Sequence, residues 1–140
     1  MKTLLEKLNY KGNDRIAVLN SDESFTAPLL MEFSTLVIDR EIDPRFPYDF
    51  ILIIVRNQAE VEVFTPIALH NLICDGLLWF CYPKKSSKSF RSEIDRDHGW
   101  KRLNDAGFHG IRIVSIDNDW SAMRFRNIKF IKSTSGRFAK

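Results

Sequence analysis

The chain has 140 residues, 44% of them hydrophobic and 28% charged, with a formal net charge of +3. Those figures suit one ordinary globular domain spanning residues 1–140, with a real core. They exclude a membrane-spanning helix, because no apolar run approaches the roughly 20 residues one needs, and a disulfide framework, because Cys74 and Cys81 are the only cysteines.

The amino-terminal residues Met1 to Lys7 have neither a long apolar stretch nor a small-residue cleavage site, which argues against a secretory leader and for a cytoplasmic setting. Within residues 1–10 a short helix is expected from Thr3 to Leu8, with Leu4, Leu5 and Leu8 on one side. The turn residues Gly12-Asn13-Asp14 end it. Arg15 to Leu19 reads as a first buried strand, with Asn20 to Ser24 as the loop at its carboxyl end. A helix over Phe25–Phe33 and a short strand over Thr35–Ile38 follow. Phe50 to Val55 and Gly76 to Tyr82 are nearly unbroken apolar runs, and Gln58 to Ile73 between them has helical character. Pro66 predicts a kink in that helix, or two shorter helices meeting near Thr65.

A further helix is predicted over Ser92–Ala106, stopped by Gly107. Ile111 to Ile116 and Trp120 to Phe130 then read as two antiparallel strands joined by a turn at Asp117-Asn118-Asp119. Residues 131–140 are expected to fray. Strand and helix thus alternate four times before a closing hairpin. That order predicts an α/β fold of three layers, a mostly parallel sheet with helices on both faces and a C-terminal antiparallel hairpin.

This order resembles a truncated class I methyltransferase, and Asp75-Gly76-Leu77-Leu78-Trp79 resembles that fold's turn into its fifth strand. Only one short helix and one short strand fit between Leu19 and Asp49, so the chain is shorter than that family. Val18-Leu19-Asn20, Val55-Arg56, Tyr82 to Ser87, Asp117 to Ala122 and Arg124-Phe125-Arg126 together are similar to a family of short bacterial proteins that form a domain of unknown function. That second resemblance implies no activity. The first implies a cofactor loop after the first strand and an acid after the second. Here the loop Asn20-Ser21-Asp22-Glu23-Ser24 has no glycine to supply positive φ and close approach. Asp39 or Glu41 could take the place of the acid.

Ligands of open α/β sheets bind at the carboxyl ends of the strands. The cations and hydroxyls gathered there are Arg56 after one strand and Lys84, Lys85, Ser86 and Ser87 after the next, with Asn20 and Ser21 after the first. Tyr82 and Trp120 belong to the same candidate site. Charge-assisted hydrogen bonds from such groups favour a small anionic ligand. The pattern is not a P-loop, and no G-x-S-x-G, catalytic triad or metal-ligand spacing is present. Asp95, Asp97 and His98 form an acid-histidine cluster, with Asp95 and His98 expected on one helical face beside Arg91, Lys101 or Arg102.

The chain therefore reads as a binding protein with no catalytic residues, cofactor or metal assigned, and as an S-adenosylmethionine-dependent methyltransferase with an atypical loop in the alternative. Charge is distributed unevenly. Residues 1–83 hold 7 Lys/Arg against 12 Asp/Glu, and residues 84–140 hold 14 against 6. The basic half makes a nucleic-acid binder the third reading, and the C-terminal strand is expected to leave an edge through which copies could pair.

Overall fold

The structure is a computed structural model, and it describes residues 7, 8, 10, 15–21, 36–85, 94, 95 and 98–131. Six strands form one sheet: β1 (Arg15–Leu19), β2 (Val37–Asp39), β3 (Tyr48–Ile54), β4 (Leu72–Pro83), β5 (Phe108–Ser115) and β6 (Trp120–Asn127). Their spatial order is β2-β1-β3-β4-β6-β5. The first four are mutually parallel, whereas β6 runs antiparallel to both β4 and β5. The expected mixed sheet closed by a hairpin is what forms.

Alternation along β3 explains why the run is apolar without interruption. Ile51 and Ile53, with Val55 beyond the strand, join a core on one face together with Leu19, Phe80, Trp100 and Phe125. Phe50, Leu52 and Ile54 join a second core on the other face with Leu8, Val18 and Trp79. Both sides of the strand are buried, which a parallel sheet covered on each face requires. Trp79 is fully buried and its indole donates to the Leu8 carbonyl at 3.0 Å, tying the amino-terminal segment to the second core.

Helix α1 (Gln58–Asn71) connects β3 to β4 and covers the first core through Val61, Thr65 and Ala68. It runs uninterrupted through Pro66, so the two-helix alternative does not form. Pro66 and Glu62 are both exposed, so water can satisfy the Glu62 carbonyl that the proline leaves without a donor. The neighbouring Thr65 hydroxyl donates to the Val61 carbonyl at 2.7 Å.

Several boundaries move. Helix α1 ends at Asn71 and β4 starts at once, four residues earlier than the apolar run. The expected Ser92–Ala106 helix reduces, among the described residues, to α2 (Lys101–Asp105). Gly99 is the reason: its φ of 102° lies outside the right-handed helical region. Gly107 does terminate α2, at φ 87°, with its N–H donating to Asn104. Strand β6 stops at Asn127, whose side chain caps the 3-10 turn Ile128–Phe130 that replaces the expected strand end.

The last strand is also not an edge. Strand β6 is bracketed by β4 and β5, so the edge foreseen at the C-terminal strand belongs to β5. The predicted helix at 25–33, most of the helix within 1–10 and the tail from 132 lie outside the described residues. No helix among the described residues is long and apolar enough to cross a membrane.

Candidate functional site

The parallel strands bring their carboxyl ends to one edge, where the chain leaves β1 at Asn20, β2 at Arg40, β3 at Val55 and β4 at Lys84. Asn20 takes φ 60°, a left-handed conformation that asparagine tolerates better than most residues. Asn20 thus supplies a positive φ at the end of β1 without a glycine. The Asn20 side-chain amide donates to the Ile54 carbonyl and to Glu60 Oε2, each at 2.7 Å. Glu60 Oε1 in turn accepts from the Arg56 N–H at 2.7 Å, and the Glu60 N–H donates to the capping residue Asn57 at 2.9 Å. Asn57 and Glu60 are three residues apart, so a variant of the capping box closes the first turn of α1 and clamps the β1 loop.

Beside this clamp lies a cavity of about 610 Å³ lined by Asn20, Ser21, Arg40, Glu41 and Phe64. Arg40 donates from Nη2 to the Ser21 carbonyl at 2.7 Å. The Ser21 hydroxyl is buried with no hydrogen-bond partner. Of the two acids weighed at the end of β2, Asp39 is committed elsewhere. It accepts from Arg15 Nε at 2.6 Å and from the Tyr48 hydroxyl. Burial, followed by the bond to Asp39, raises the Tyr48 pKa. Glu41 is the acid on the cavity wall.

Of the other predicted site residues, Arg56, Tyr82, Lys84, Lys85 and Trp120 share the edge and are not among the described residues lining the cavity. The Arg56 guanidinium lies over the Trp120 ring, 5.4 Å from its centroid. Lys84 Nζ donates to Ser115 Oγ at 2.6 Å, and its N–H to the Asp119 carbonyl at 2.7 Å. Lys85 pairs with Asp95 at 3.3 Å. Tyr82 is buried against Trp100, with ring centroids 5.5 Å apart. Ser86 and Ser87 lie outside the described residues, as does Asp97.

Asp95 and His98 meet through a turn rather than along a helix. Asp95 Oδ1 accepts from the His98 N–H at 2.9 Å and sits 2.9 Å from Nδ1. Among the described residues its cation is Lys85 rather than Lys101 or Arg102, while Arg91 lies outside the described residues. The Cys81 thiol is fully buried and its pKa is pushed far up, first by burial and then by Asp117.

Arg40 and Phe64 were not singled out in the sequence. Arg40 directly follows a three-residue strand, and the rule that ligands sit beyond strand ends would have found it. Phe64 lies one turn beyond Val61 on α1 and reads there as core.

No family model matches the chain, and no curated protein matches it. Among solved structures it is similar to the N-methyltransferase NodS from Bradyrhizobium japonicum WM9 in complex with S-adenosyl-L-homocysteine, at a TM-score of 0.55 and 11% identity over 89% of this chain and 83% of that one. It is also similar to a SAM-dependent methyltransferase from Aquifex aeolicus, at a TM-score of 0.54 and 13% identity over 89% and 88% of the two chains. At this identity the likeness is one of fold, and the chain has a methyltransferase-like α/β fold.

Proposed function

We propose that this protein binds a small, hydroxyl-bearing anionic ligand in the cavity between the tips of β1 and β2. The observation that carries the reading is the Ser21 hydroxyl, buried at the cavity without a hydrogen-bond partner. An unmade hydrogen bond of that kind costs about 1–3 kcal/mol, and a ligand oxygen in the cavity would supply it. Arg40 offers further N–H donors to an anionic group, Glu41 accepts from ligand hydroxyls, and Phe64 gives a flat apolar wall. Lys84 and Lys85, already bonded to Ser115 and Asp95, play the smaller part in this reading.

A second reading is an S-adenosylmethionine-dependent methyltransferase. Glu41 lies just past β2 on the cavity wall, and Asn20 takes a positive φ at the end of β1 without glycine. An acid for a diol and a ring for a base fit a nucleoside group. Calorimetry with S-adenosylmethionine, S-adenosylhomocysteine, nucleotides and phosphorylated sugars separates the two. Binding of the first pair that is lost in Glu41→Gln favours the methyltransferase. Binding of other anions that is lost in Arg40→Ala favours the first reading. Silence across the whole panel ends both.

A further inference from the structure

A second concentration of charge lies far from the cavity, on the sheet face that carries Trp79. Alternate residues of a strand share a face. Ala122 belongs to the core around Trp79, so Arg124 and Arg126 point to that side as well. Arg112 on β5 is directly opposite Arg124 on β6 in the antiparallel register. Like charges placed directly across a strand pair destabilise it, yet three arginines are gathered here around a single described acid. That acid, Asp75, binds Arg126 through two bonds of 2.7 and 2.6 Å.

Asp75 binds Arg126 directly and acts on Arg124 only through weaker electrostatic attraction. Arg124 Nε is buried with no hydrogen-bond partner. Its pKa is lowered, chiefly by burial and then by Arg126, with Asp75 opposing and Arg112 adding to the effect. A part-buried guanidinium with an unmade bond and cations on two sides is costly as it stands. An anion bridging the arginines would relieve both costs at once.

We propose that Arg112 and Arg124, with Arg126 held beside them by Asp75, bind a phosphate-type oxyanion. The planar guanidinium fork matches phosphate oxygens two at a time, which is the reason arginine rather than lysine suits such a site. The site is independent of the cavity at the strand tips. A free phosphate or phosphate monoester and the backbone phosphate of a nucleic acid share this chemistry.

The test is thermal unfolding of the full chain against inorganic phosphate, with chloride holding ionic strength constant. Phosphate at ten times its Kd is expected to raise Tm by about 5 °C. Arg112 is exposed, so Arg112→Gln is expected to fold and to lose most of that rise. Arg124→Lys keeps the charge without the fork and is expected to weaken binding about tenfold. No rise in the wild type, or the same rise in both variants, overturns the proposal.

Fluorescence anisotropy with a labelled single-stranded oligonucleotide identifies the source. Binding that falls steeply with salt and is lost in Arg112→Gln assigns the site to a nucleic-acid backbone. A phosphate effect without oligonucleotide binding assigns it to a small ligand.

Discussion

Asn20 and Glu60, forty positions apart in the chain, meet through a 2.7 Å hydrogen bond between the Asn20 amide and Glu60 Oε2. The same carboxylate accepts the Arg56 N–H, and the same amide reaches the Ile54 carbonyl. One pair of side chains thereby fastens the end of β1, the end of β3 and the first turn of α1 beside the cavity.

Replacing Asn20 by alanine removes the bonds to Glu60 and to the Ile54 carbonyl and leaves a β-carbon at φ 60° without the asparagine side chain. Losses of about 1.5–3 kcal/mol for the first and about 1 kcal/mol for the second are expected. Asn20→Gly removes the same bonds without the strained β-carbon. Urea unfolding should therefore rank wild type above Asn20→Gly above Asn20→Ala, and equal midpoints for the two variants would contradict the strain.

Trp79 fills the second core and holds Leu8 by its indole N–H. Trp79→Phe keeps a ring but loses that bond and part of the volume, for an expected cost of about 1–3 kcal/mol. Limited proteolysis should cut near Leu8 faster in the variant than in the wild type.

Cys81 is buried and Cys74 exposed. A thiol reagent should titrate one group in the native protein and two in urea. The pH dependence follows from the raised Cys81 pKa. The native thiol stays protonated while the unfolded one ionises at about 8.5, so the unfolded state binds fewer protons above that value. Stability from this group is complete below about pH 8.5 and declines as pH rises beyond it. Cys81→Val should flatten the decline in unfolding midpoints between pH 8 and 10.

Asp43 has the opposite sign. Its carboxyl pKa is lowered by the Arg45 backbone N–H and by Arg15. Its contribution is complete above the ordinary aspartate value of about 3.9 and is lost as pH falls through the lower folded value. Asp43→Asn should lessen the acid sensitivity of unfolding below pH 4.

The sheet could be read from the sequence because β1, β3 and β4 are apolar on both faces, a pattern with few structural solutions. The Trp120–Asn127 return was legible for a related reason, since an Asp-Asn-Asp turn separates two alternating runs. The ends of elements were not. Pro66 argued against a continuous α1, and only the exposure of Glu62 and Pro66 shows why the break is cheap. Gly99 sits inside a plausible helical stripe, and its positive φ is a tertiary choice. At the candidate site, Lys84 and Lys85 looked like free charge because their partners Ser115 and Asp95 are distant in the chain or across a turn. The cavity residues Arg40 and Phe64 are single side chains with no local pattern to mark them.

Strand β6 lies between β4 and β5, and β5 has no other neighbour in the sheet. Strand β5 therefore has a strand to pair with only when its successor β6 is in place. Pairing of β5 with β6 as a hairpin is a local contact in the chain, of the kind that forms fast compared with the long-range parallel pairings of β1, β3 and β4. A chain stopped before Trp120 would leave the hydrogen-bonding edge of β4 bare and release residues 108–115 from the sheet altogether.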